Sequence, residues 1–91
     1  MTHNGWTNRE TWLMAAWLAN DEAAYSDTQA MADEARTRSA DEDRVLAELT
    51  DKIRGYAMMY LFDGGDLIAD LVDAALCHVN WREIAEGVLK D

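Results

Sequence analysis

The sequence predicts an all-α fold, a single compact bundle of about five helices. Three observations carry this: the 91 residues contain no proline, the apolar residues sort onto helical faces, and no alternating strand pattern competes. Nearly half of the residues are apolar, enough for a core despite eighteen acidic against eight basic side chains and a net charge of −10. At this length one domain is expected over residues 1–91, folding without a metal or a bridge. Residues 1–6 read as an N-terminal arm.

Thr7-Asn8-Arg9-Glu10 fits a capping box, so a first helix starts at about Asn8. Trp12 to Ala19 is apolar on every side, which predicts that this helix sits at the centre of the bundle. Asn20-Asp21 ends it, with Asp21 or its neighbour capping the next. Ala24, Tyr25, Thr28, Met31, Ala32 and Ala35 then share one arc of a second, amphipathic helix, with Asp27, Asp33 and Glu34 outside it.

The polar stretch 37–43 reads as a mobile connection, although Ser39-Ala40-Asp41-Glu42 is a second capping box that would start the third helix early. That third helix is the clearest and the longest. Val45, Leu46, Leu49, Ile53, Tyr56, Ala57 and Tyr60 make its apolar face, and Glu48, Asp51, Lys52 and Arg54 lie away from it. Gly55 within it either admits a close neighbour or is simply tolerated. Asp63-Gly64-Gly65-Asp66 breaks the pattern; Leu67, Ile68, Leu71, Val72, Ala75 and Val79 follow as the buried face of a fourth helix. Asn80-Trp81-Arg82-Glu83 is a further capping box, with Val79 placed to staple to Ile84. A short fifth helix turns Ile84, Ala85, Val88 and Leu89 inward.

With the segments placed, three blocks stand out: Asn4-Gly5-Trp6-Thr7-Asn8-Arg9-Glu10-Thr11-Trp12, then Trp17-Leu18-Ala19-Asn20-Asp21-Glu22 with Tyr25, and Asn80-Trp81-Arg82-Glu83-Ile84-Ala85-Glu86. In these the chain resembles a group of small, poorly characterised proteins carried by bacteriophages, plasmids and related mobile elements. The blocks cover roughly a third of the chain. Leu13-Met14-Ala15-Ala16-Trp17 stands where such proteins often have Asn-Val-Ala-Leu-Trp, so nothing attached to that Asn carries over. The resemblance implies a mobile-element origin and a helical fold, and no particular activity.

The acidic balance bounds the partners. Duplex phosphates demand a cationic surface, so direct binding to nucleic acid is not expected, and an acidic leaflet would repel the chain too. The apolar runs are too short to span a bilayer, the N-terminus has no signal-peptide pattern, and a single cysteine argues for no oxidising compartment. The host cytoplasm is the expected location.

Asp63, Asp66, Asp70 and Asp73 recur at intervals of three, four and three, which places them in one stripe of a helix with carboxylates about 5 Å apart. That spacing approaches the separation of phosphates along a strand. With Asp41, Glu42, Asp43, Glu48 and Asp51 they are the candidate acidic site for a basic partner, either as a nucleic-acid mimic or, blandly, as a solvated face. The apolar candidate is Met58 and Phe62, four residues apart and opposite the main arc of the third helix, bordered by Met59. It is either covered within the core or presented to a partner, which would allow a homodimer.

Catalytic chemistry is not expected. Cys77 and His78 are adjacent, so on a helix they diverge by about 100° and cannot pair. No set of residues has the spacing of a zinc or calcium site, and no glycine-rich phosphate cradle is present; no cofactor is expected. The function expected is therefore non-enzymatic: a small acidic protein of a mobile element that binds and modulates or inhibits a host or element-encoded protein. Its sharper form is mimicry of nucleic acid against a restriction or CRISPR defence factor. The alternative is a structural or adaptor protein that docks through an apolar helix face.

Overall fold

The structure, a computed structural model, describes residues 4–61, 72 and 74–90. Among these the chain is all-α: α1 (Arg9–Asn20), α2 (Glu22–Arg38), α3 (Glu42–Leu61) and α4 (Trp81–Lys90), with Val72 and residues 74–76 also helical.

Local chemistry sets the boundaries. Asn8, in extended backbone, caps α1 by accepting the Thr11 N–H at 2.8 Å, so the cap falls one residue later than Thr7. Asp21 both ends α1, donating its backbone N–H to the Trp17 carbonyl, and caps α2 through the Ala24 N–H at 2.9 Å. Only one residue therefore joins the two helices. The expected connection 37–43 shortens to 39–41, because α2 continues to Arg38, whose guanidinium is held by Glu34 one turn back and by Glu48 of α3 at 2.5 Å. Within it the Ser39 hydroxyl accepts the Asp41 N–H, and Asp41 in turn accepts the Asp43 N–H at 2.9 Å. Asp41, not Ser39, meets the first turn of α3.

The core lies where α2, α3 and α4 meet. On α2 the inward positions are small, with Ala24, Ala32 and Ala35 buried, so larger side chains from α3 and α4 approach its backbone. Leu46, Leu49, Ile53, Ile84 and Ala85 supply that volume. A fully buried leucine such as Leu49 contributes about 1.5–3 kcal/mol relative to exposure. The predicted faces of α2, α3 and α4 are the ones buried, with Tyr25 at the exposed margin.

Helix α1 brings Leu18 into the core cluster, with Met14 and Ala15 packed against it. It packs on α2 and α4, buries only Thr11 and Leu18 fully, and leaves Leu13 and Trp17 exposed. Among the described residues Gly55 meets no neighbour within 4 Å of where a Cβ would stand, which fits the tolerated glycine of the two readings.

Candidate functional site

Of the acidic candidates, Asp63, Asp66, Asp70 and Asp73 lie outside the described residues. The five on the α3 side divide by what they touch. Asp41 serves the start of α3, and its other oxygen stands 4.0 Å from Arg44. Glu48 is tied to Arg38, which also reaches Glu34, and Glu34 lies 3.7 Å from Lys52. The hydrogen bond that Arg38 donates to Glu48, with the charges of Glu34 and Glu48, raises the guanidinium above its ordinary value. Glu48 is thus internally neutralised and leaves the candidate ridge. Glu42, Asp43 and Asp51 are exposed and form no ion pair among the described residues.

The apolar candidates separate as well. Met58 is half-buried and packs against the core, whereas Met59 is 82% exposed; Phe62 lies outside the described residues. Adjacent positions on a helix point about 100° apart, so Met58 and Met59 do not share one surface. A broader apolar groove of about 320 Å³ lies instead along α1, formed by Leu13, Met14, Trp17, Val72, Leu76 and Val79. Sequence reasoning missed it, although the all-apolar run Trp12 to Ala19 supplies its α1 side.

The ends of the chain form a clasp. The Thr7 N–H donates to a Glu83 carboxylate oxygen at 2.9 Å, the Asn80 side-chain amide to the Thr7 hydroxyl at 3.3 Å, and the Asn8 amide to the His78 carbonyl at 2.5 Å. Asn80 also caps α4 by accepting the Glu83 N–H at 3.1 Å. The capping box predicted there is therefore half formed, because the Glu83 carboxylate serves Thr7. At its far end α4 is held by α2: Arg36 donates to the Leu89 carbonyl at 2.6 Å and Gln29 to the Val88 carbonyl at 3.5 Å, taking up acceptors that a helix C-terminus leaves open.

Trp6 follows a tight turn in which Asn4 and Gly5 have φ of +49° and +87°. Asparagine tolerates that region and glycine enters it without strain. The turn lays the indole over α4, where Cη2 stands 3.2 Å from the position a Cβ on Gly87 would occupy. Trp6 then walls a cavity of about 200 Å³ between the end of α1, the start of α2 and α4. Leu18, Thr28 and Ile84 form its buried floor, and the exposed Ala19 and Tyr25 mark its mouth. The three sequence blocks that carry the resemblance converge here, contributing Trp6 from the first, Leu18, Ala19 and Tyr25 from the second and Ile84 from the third.

Cys77 and His78 are both exposed, and the His78 carbonyl is used by the clasp. Among the described residues no group of three or more His, Cys, Asp and Glu side chains could hold a metal ion, and no helix is long and apolar enough to cross a membrane.

No curated protein and no solved structure matches the chain. A family model does, over residues 1–88, and the chain belongs to that family, DUF7249, a family of unknown function.

Proposed function

We propose that this is a small acidic, non-enzymatic binding protein of a mobile genetic element, working in the host cytoplasm, where it captures a protein with a basic surface and modulates or inhibits it. Mimicry of a nucleic-acid backbone against a restriction or CRISPR factor is the sharper form. The observation that carries the reading is how unevenly the charge of −10 is distributed. All Lys and Arg lie at or before Arg54 or at and after Arg82, and the stretch between them carries Asp63, Asp66, Asp70 and Asp73 without a cation. Glu42, Asp43 and Asp51, exposed and unpaired among the described residues, add to it. Focused negative potential speeds the capture of a cationic partner, and salt screens it.

The test is affinity capture from host lysate at low and high salt, followed by association kinetics with the captured protein. Asp66→Asn, Asp70→Asn and Asp73→Asn together are expected to slow association and flatten its salt dependence. An unchanged rate and salt slope reject the acidic stripe as the binding surface.

The groove along α1 favours a second reading, an adaptor that docks or self-associates through apolar surface, with Leu13 and Trp17 in place of Met58 and Phe62 as its centre. Sedimentation of the free protein at two concentrations separates the two. Self-association that is insensitive to salt and dissolved by Leu13→Asp supports the adaptor; a monomer at both concentrations counts against the homodimer.

A further inference from the structure

We propose that the cavity floored by Leu18, Thr28 and Ile84 is a binding site for one uncharged, single-ring aromatic group, a site that does not depend on the acidic surface. Size comes first. An apolar protein cavity of roughly 150 Å³ accommodates benzene. At about 200 Å³ this one takes a six-membered ring with a small substituent.

The lining sets the chemistry. Trp6 and Tyr25 supply aromatic surface, against which a second ring stacks offset or edge-on. The floor adds two aliphatic side chains, and the Thr28 hydroxyl there already donates to the Tyr25 carbonyl at 3.1 Å. Gln29 adds a polar amide to the lining, with a long bond of 3.5 Å to the Val88 carbonyl. In a chain with a charge of −10, the described residues that line the cavity include no carboxylate, ammonium or guanidinium. A charged ligand would lose its hydration there and gain no counter-ion, so the site selects a neutral one.

The site is also preformed. Its floor is buried, and its outer wall is the Trp6 ring packed on Gly87, where a Cβ would stand 3.2 Å from Cη2 and the indole would have to yield by a few tenths of an ångström. Binding therefore orders little that is not already ordered.

The experiment titrates the isotope-labelled full chain with p-cresol and follows the Gln29 side-chain amide and the Gly87 backbone amide by NMR. Saturable shifts at both are expected, with benzylamine, the same ring carrying an ammonium, binding about tenfold more weakly or worse. Ala19→Phe fills the mouth from an exposed position that bears no load in the core, and is expected to abolish the shifts while the rest of the spectrum is kept. Ala15→Leu, from the half-buried wall, is the second blocking variant. A capped Gly-Tyr-Gly peptide tells the source: shifts at the same two amides mean that the ring arrives on a protein chain, and shifts with p-cresol alone mean a free small molecule. The proposal is overturned by the absence of saturable p-cresol shifts, by shifts that persist unchanged in both blocked variants, or by benzylamine binding as well as p-cresol.

Discussion

The backbone N–H of Asn80 donates to the hydroxyl of Thr11 at 2.8 Å, across 69 positions of sequence. The same hydroxyl donates to Asn8 Oδ1 at 2.7 Å, and Thr11 is fully buried. One oxygen thus joins the residue that caps α1 to the residue that caps α4. Each cap contributes about 0.5–2 kcal/mol in isolation, and here the Thr11 hydroxyl links the Asn8 side chain to the Asn80 backbone.

Thr11→Val keeps the shape and removes the hydroxyl, which strands the Asn80 N–H and weakens the hold on Asn8. A loss of about 1–3 kcal/mol is expected from the midpoint of urea denaturation, with Thr11→Ser recovering much of it. If Thr11→Val is as stable as the parent protein, the hydroxyl does not couple the caps.

Gly55 sits within α3, exposed, with open space where a Cβ would go. Gly55→Ala is expected to raise stability by about 0.5–1 kcal/mol, because alanine loses less backbone freedom on entering a helix. Destabilisation in the same assay would mean that another surface comes close to this glycine.

Glu48 faces Arg38, whereas Glu42, Asp43 and Asp51 face water. Under the proposed function, Glu48→Gln changes the salt dependence of association little, since it removes a charge already answered, while the Glu42→Gln, Asp43→Asn and Asp51→Asn triple variant lowers the association rate by several-fold, about an order of magnitude at low salt. Equal effects would show that net charge matters and its position does not.

Met58 and Met59 are neighbours with opposite fates. Met58→Asp is expected to destabilise the fold by about 2 kcal/mol or more, since it carries a charge toward the core, while Met59→Asp stays within about 0.5 kcal/mol. Thermal unfolding reads both. A reversed order would restore Met58 to the surface and with it the original apolar candidate.

The all-α class and the inward faces of α2, α3 and α4 were legible because amphipathic periodicity is a local signal, repeated every turn. Val45, Leu46, Leu49, Ile53 and Ala57 are buried as their spacing predicts. Two kinds of information were not local. The apolar run of α1 says that neighbours are needed without saying which of its residues they cover, and Leu13 and Trp17 are exposed. The Thr7 and Asn80 motifs were each visible as helix caps, yet nothing in either shows that Glu83 would turn from its own helix to the Thr7 N–H. Ion pairing escaped for the same reason: Glu48 looks as free as Asp51 until α2 brings Arg38 beside it.

The clasp has a consequence for how the molecule is made. Thr7, Asn8 and Thr11 leave the ribosome well before their partners Glu83, His78 and Asn80, which follow 76, 70 and 69 positions later. At the pace of translation, about 5–20 residues per second, the early segment waits seconds with its tryptophans uncovered. The clasp therefore closes only after residues 78–83 have emerged, and a chain stopped before residue 78 would lack both α4 and every distant partner of Thr7, Asn8 and Thr11.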